Sequence, residues 1–442
     1  MTIKAKAYEA LNDYNSQLRA AETALSEASQ RNARMLQARA ELELCWAHRN
    51  LGHVDAAYSA CSEAQNLFSA FGDNVSAAVA LNGLATWLSD RGQYAEAKQI
   101  FDRVIQINQA AGAQTDLAGA CVNAARTLDM MGKPDEAADY IQRALAVAVP
   151  IGDAYDEALA RILRGEILVK QGKPSDGEKE IQLALAIARK SRDQSIEAMA
   201  LSNLAQIQSE INTDQAIANY RVALRLRREK GEKDAIATCL VNMGDVLFRR
   251  GELRTAQESY TEALDIDTAL KNRDAAAVDE ISLAKIELER GNLQEARNRA
   301  MQAAKDYHEA DDADGEVEAT STLVRVLLAQ NSVAEAAPYV QRIQPFTSKD
   351  PETNFEKRLS VAEYLAAIKK PDEAIPLLKT LPSEAQSAGM HFIALESRLE
   401  LVSLQAKQNP APELRKELAS IRSDARRAGF GLLLQKASKL RI

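Results

Sequence analysis

The chain has 442 residues, of which 55 are Lys or Arg and 63 are Asp or Glu, giving a net charge of −8. That acidic balance excludes the usual binder of a phosphate backbone, which presents a basic face. Hydrophobic residues reach 46% while aromatics are only 5%, and glycine (19) and proline (11) are scarce, so alanine and leucine carry the apolar content of a nearly all-helical chain.

At about 150 residues per domain the length suggests three globular domains, but a shorter period overrides that division. Lys4 to Leu11 reads as a first helix of about half the usual length. The chain therefore begins inside a repeat, with residues 1–30 a partial N-terminal unit turning near Asn12, and is expected to be a piece of a longer protein. A short phrase then recurs: GHVDAA at Gly52, GQYAEA at Gly92, GKPDEA at Gly132, GKPSDG at Gly172, NTDQA at Asn212, GELRTA at Gly251, GNLQEA at Gly291, NSVAEA at Asn331 and KKPDEA at Lys369. Successive starts differ by 40, 40, 40, 40, 39, 40, 40 and 38 residues, and Asn212 opens a phrase one residue short. A degenerate copy runs from Gln408 to Leu414. Such a fixed period marks a solenoid.

Each unit reads as two amphipathic helices, such as 78–91 before the turn and 94–112 after it, with apolar residues at i, i+3, i+4 and i+7. The turn glycine suits a left-handed C-cap. Five residues later stands a small residue, Ala57, Ala97, Ala137, Gly177, Ala256, Ala296, Ala336 and Ala374, with Ala216 four on at the shortened turn. Seven before the turn the residue is again small, as in Cys45, Ala85, Ala125, Gly165, Ala205, Gly244 and Ala284. The paired helices must approach closely there, because a larger side chain would overpack the contact. A knob follows four residues on, at Phe101, Ile141, Ile181, Tyr220 and Tyr260. At the end, Phe430, Leu432, Leu433 and Leu434 suit a capping segment (residues 429–442) that covers the last repeat, with Lys436, Lys439 and Arg441 solvated.

The series Met243-Gly244, Gly251, Ala256, Tyr260, Ala263-Leu264 resembles the tetratricopeptide repeat (TPR). Units of 40 residues without a closing proline resemble its longer subtype rather than the form of about 34 residues. That subtype occurs in bacterial transcriptional activators, in regions of bacterial Ser/Thr kinases and in scaffold proteins. Asp424 to Leu440 is similar to the closing segment of the kinase-associated type. The resemblance implies an all-α, right-handed superhelical solenoid of about ten antiparallel helix hairpins. It would be a single domain over 1–442, with repeats in 31–428, first helices lining a concave face and second helices facing outward. Stacking supplies the core that no hairpin can bury alone.

The residues offer no catalytic or cofactor chemistry. No GxGxxG, Walker loop, GxSxG elbow or kinase signature is present. The four cysteines and four histidines are too scattered for a zinc framework or a disulfide scaffold. Cys45 and Cys61 fall on facing positions of one hairpin, either as buried packing residues or as a redox pair. Residues 306–318 hold seven acids in a spacing that does not fit an EF-hand, so they read as a solvated junction. The basic run Arg225, Arg227, Arg228, Lys230, Lys233 reads as complementing a helix C-terminus. No apolar run of about 18 residues occurs, and the first residues lack the core of a secretory leader. A cytoplasmic, non-enzymatic protein without metal, cofactor, nucleic acid or membrane is expected.

The family geometry places a partner on the inner face of the first helices. Nine residues before the turn stand Asn123, Asn203 and Asn242, with Asn82 one position away. Six before it stand Trp46, Arg126, Gln206 and Asp245, followed by Lys285 and Arg325. Asparagine amides pair with both polar groups of an extended backbone, and Trp and Arg are favoured anchors. The carboxylate clamp for acidic chaperone tails is absent, since Gly119, Met199 and Thr238 occupy its lysine positions. The expected function is a scaffold or adaptor binding a protein or peptide in the groove. The alternative is a ligand- or peptide-sensing module of a bacterial signalling protein.

Overall fold

A computed structural model describes residues 2–10, 13–51, 53–348 and 350–441. These residues form 23 helices and no strand, arranged as successive antiparallel hairpins of the all-α solenoid type. The predicted pair at 78–91 and 94–112 is Asn74–Asp90 and Tyr94–Ala111. Gly92, Gly132, Gly172, Gly251 and Gly291 take φ of +75°, +71°, +75°, +77° and +82° just past the first helix, where a β-carbon would be strained. The shortened turn works differently. Asn212 stays at φ −154° and its side chain caps the next helix by accepting from the Gln215 amide at 3.2 Å. Gly52 lies outside the described residues, as do Leu11 and Asn12.

All nine small residues after the turn are buried, and so are the seven that face them. The knobs Phe101, Ile141, Ile181, Tyr220 and Tyr260 are at most 2% exposed. A β-carbon on Gly244 would stand 2.6 Å from the Tyr260 ring, so glycine is what admits that knob. One helix departs from the pattern. Val333–Ile343 has 11 residues instead of about 17, ending just before Pro345, which has no amide N–H to continue the helical ladder.

The chain divides into two compact units, residues 1–200 and 201–442. In the first, Thr2–Ala10 is a helix of nine residues where its successors have 17. A core of Phe101, Leu128, Ile141 and Leu163 runs through the following hairpins. Cys45 and Cys61, left open between packing and pairing in the sequence, are joined in a disulfide with Cα atoms 5.0 Å apart.

The second unit closes on itself. The amide of Phe392 donates to Glu210 at 3.1 Å across 182 positions, and the C-terminal helix Gly431–Lys439 lies against Arg250 and Gly251. Phe430 is fully buried against Phe392, edge to face at 5.2 Å. Phe430 and this helix therefore pack on the last repeat and also on an earlier one. Lys436 corrects the expectation of a solvated cap. Its ammonium bridges Glu289 at 2.5 Å and Glu396 at 3.5 Å, because closure of the unit turns that face of the helix inward.

One buried acid limits this unit's stability. Asp279, on helix Arg273–Arg290, has no exposed surface, and neither carboxyl oxygen finds a donor. The carboxyl of Asp267 on the preceding helix lies close to it. Burial, with repulsion from Asp267, pushes Asp279 up to about 8. Unfolded, it titrates near ~3.9. The raised folded value makes its contribution full below about pH 4 and progressively lost as pH rises towards 8. Asp279→Asn supplies a fixed donor in the same shape. It raises the melting temperature at pH 8 by roughly 4–8 °C, for a gain of about 2 kcal/mol, and by about a quarter of that at pH 5. An advantage of equal size at the two pH values would refute this account.

Candidate functional site

Four of the eight candidate groove residues lie on three successive first helices of the unit 1–200: Trp46 on Arg34–Asn50, Asn82 on Asn74–Asp90, and Asn123 and Arg126 on Gln114–Met130. The amide of Asn123 donates to the Asn82 side-chain oxygen at 3.4 Å, so the two asparagines lie side by side. Gly83 lets the Trp46 ring reach the neighbouring helix, since a β-carbon there would stand 3.2 Å from the indole. Arg126 is exposed.

The same strip holds residues that the sequence reading passed over. Arg49 lies 5.9 Å from the Trp46 ring centre and 3.7 Å from Asp90. Burial raises the Asp90 carboxyl, and the opposing pull comes from Arg49 and Arg126 together. The Tyr155 ring is 56% exposed, yet its hydroxyl is raised by burial and by Asp156 and Asp193 against the pull of Arg126 and Arg49. Arg49 and Arg126 therefore act electrostatically on both Asp90 and Tyr155. Helical spacing could have found Arg49, which stands one turn after Trp46 on the same face. Tyr155 had no such signal.

In the unit 201–442 the remaining candidates have different surroundings. Gln206 is exposed, and Asn203 and Asn242 are half-buried. Asp245 accepts from the Tyr260 hydroxyl at 2.6 Å, and burial raises its carboxyl. The equivalent positions of the next two repeats reach across the inner face. Lys285 donates to Glu318 at 3.1 Å and Glu356 at 2.9 Å, while Arg325 donates to Glu363 at 3.1 Å and Glu396 at 2.9 Å. Two of those partners lie 71 positions away, so first helices two repeats apart bond directly. Although burial alone would raise Glu396, Arg325 and Lys436 hold it down at about 2.

The acidic stretch at 306–318 is structural. Asp306 and Glu309 bind Arg273, Asp312 caps a helix by accepting from the Gly315 amide, and Glu316 pairs with Arg342. Arg228 in the basic run pairs with Glu262. Among the described residues no cluster of His, Cys, Asp or Glu could hold a metal, and no helix is long and apolar enough to cross a membrane.

Stacked hairpins with small residues at each crossing define a TPR solenoid. The chain belongs to the family described as the MalT-like TPR region, whose model matches residues 158–436, and a tetratricopeptide-repeat model matches residues 76–148. Similar solved structures include the apo form of the quorum sensor NprR from B. thuringiensis, with TM-score 0.52 and 13% identity over 75% of this chain and 97% of that one. A Rap protein complexed with competence and sporulation factor gives TM-score 0.51 and 14% identity over 78% and 99%. The signal transduction ATPase (STAND) protein with a tetratricopeptide repeat sensor from Pyrococcus horikoshii gives TM-score 0.52 and 12% identity over 86% and 54%. At these identities the likeness concerns the fold. No curated protein is similar in sequence.

Proposed function

We propose that the chain is a non-catalytic adaptor that binds a protein or peptide segment along its first helices. The strip Trp46, Asn82, Asn123 and Arg126 forms the strongest part of the site, with Asn203, Gln206, Asn242 and Asp245 as further candidates. The observation that carries this reading is the side-by-side pair Asn82 and Asn123, flanked by a tryptophan and an exposed arginine. Together they offer amide donors and acceptors to an extended backbone, and anchors to its side chains. A prebuilt helical surface limits the ordering cost of such binding. The second reading, a peptide-sensing module of a signalling protein, draws support from similar structures that are sensors by name.

Selection of binders from a random peptide library on the immobilised full chain tests the site. Trp46→Ala and Arg126→Ala are each expected to weaken a selected peptide about 10-fold or more, or about 1.4 kcal/mol. Peptides that bind both variants as tightly as the parent would place the site elsewhere. Scattering that changes on adding a selected peptide favours the sensor, and unchanged scattering favours the adaptor.

A further inference from the structure

The glycines mark a seam in the unit 201–442. Among the described residues eleven glycines have positive φ. A β-carbon would meet nothing within 4 Å at nine of them, and the two exceptions are Gly251 and Gly429. On Gly251 it would stand 2.8 Å from the Gln435 side-chain nitrogen and 3.2 Å from the Leu432 amide nitrogen. On Gly429 it would collide with the Thr213 hydroxyl. Gly431 completes the set. Its φ is not positive, and it opens the helix Gly431–Lys439, where alanine is the better helix former. A β-carbon there would collide with the Arg250 carbonyl oxygen. Each of the three glycines thus lets an early and a late segment of the unit meet.

Polar contacts continue the seam. Glu210 accepts from the Phe392 amide at 3.1 Å and pairs with Arg249, whose guanidinium lies 5.5 Å from the Phe392 ring centre. Apolar contact across it is slight. Phe430, Leu432 and Leu433 pack with residues of the two preceding helices, His391–Gln408 and Pro412–Ala428. Among the described residues, Phe248 alone joins that cluster from the early hairpins. Parting the seam therefore wets polar groups, which water can satisfy, and leaves each hairpin packed on its neighbours in the stack. The cavity of about 260 Å³ lies across it, lined by Phe248 and Arg249 from the early side and by Phe392 and Lys436 from the late side.

We propose that residues 429–440 are a strap that closes the unit over this cavity and releases it as one element, while the hairpins stay folded. Release opens the cavity wall, with Asp245 and Lys285 on it, to solvent. The strap concerns residues 201–442 alone and stands whether or not the strip of the first unit binds a partner.

Hydrogen exchange of the full chain, read at single amides, tests it. Phe392 is the reporter. It stands in the first turn of helix His391–Gln408, where amides lack an intrahelical acceptor, and Glu210 supplies one from across the seam. Gly431→Ala speeds exchange at Phe392 about 10-fold or more, and Glu210→Ala does the same for the helix Gly431–Lys439. The core amides of Leu323 and Leu327 in the same unit keep their rates in both. Either variant suffices if the other does not fold. The control Gly291→Ala strains a turn of this unit at φ +82°, with nothing within 4 Å of its β-carbon, and leaves Phe392 unchanged. Unaltered exchange across the seam in a folded variant overturns the proposal. Equal acceleration throughout 201–442 overturns it as well, because the segment would then be part of the common core.

Discussion

Replacing Gly177 by alanine lowers the melting temperature of the unit 1–200 by about 3–6 °C, a loss of about 1–2 kcal/mol. Helix propensity alone predicts the opposite sign, since alanine in a helix interior gains ~0.5–1 kcal/mol over glycine. The site decides against propensity. A β-carbon on Gly177 would stand 2.6 Å from the backbone oxygen of Gly165 and 2.8 Å from Val169. A backbone atom cannot swing away as a side-chain tip can, so the helices Ala154–Lys170 and Pro174–Ser191 would have to part. Gly119→Ala serves as the contrast. Its β-carbon would stand no closer than 3.4 Å to any neighbour, the Asp156 carboxylate, so the propensity gain survives there. Thermal melts of the two variants side by side check the pair. A Gly177→Ala chain more stable than the parent would end the steric account of this hairpin.

Arg325→Leu destabilises the unit 201–442 by about 2–3 kcal/mol, at the lower end of the cost of breaking a buried ion pair because water still reaches these groups. The guanidinium holds Glu363 and Glu396, and its loss leaves Glu363 without its cation and Glu396 with Lys436 alone. Burial and the neighbouring Glu400 already raise Glu363 to about 7 against the pull of Arg325, so that carboxyl takes up a proton when the arginine goes. The double variant Arg325→Leu/Glu363→Leu recovers most of the loss, since it removes the orphaned charge as well. Urea unfolding at constant slope reads both values. A single variant within 0.5 kcal/mol of the parent would show that the inner network contributes little to holding the unit closed.

Much of the architecture was legible in the residues because it repeats. A requirement that recurs every 40 positions appears nine times in one chain, and local noise cannot imitate it. The small residues, the knobs and the turn glycines are local consequences of helix crossing and capping, so their identities follow from geometry within one hairpin. The short helix Val333–Ile343 was missed, although Pro345 marks its end, because the repeat phrase continued across it. On the candidate site, Trp46, Asn82, Asn123 and Arg126 were reached by register alone. Tyr155 was not, since its place depends on the curvature of successive hairpins rather than on its own helix.

What the amino-acid order determined unaided is the helix hairpin, its period and the residues at each crossing, since these depend on contacts within about one repeat. Tertiary structure alone decided which inner charges meet. Lys285 finds Glu356, Arg325 finds Glu396 and Lys436 finds Glu289, pairings set by how far each hairpin rotates on the last. Small rotations add along a stack, and no single repeat carries their sum.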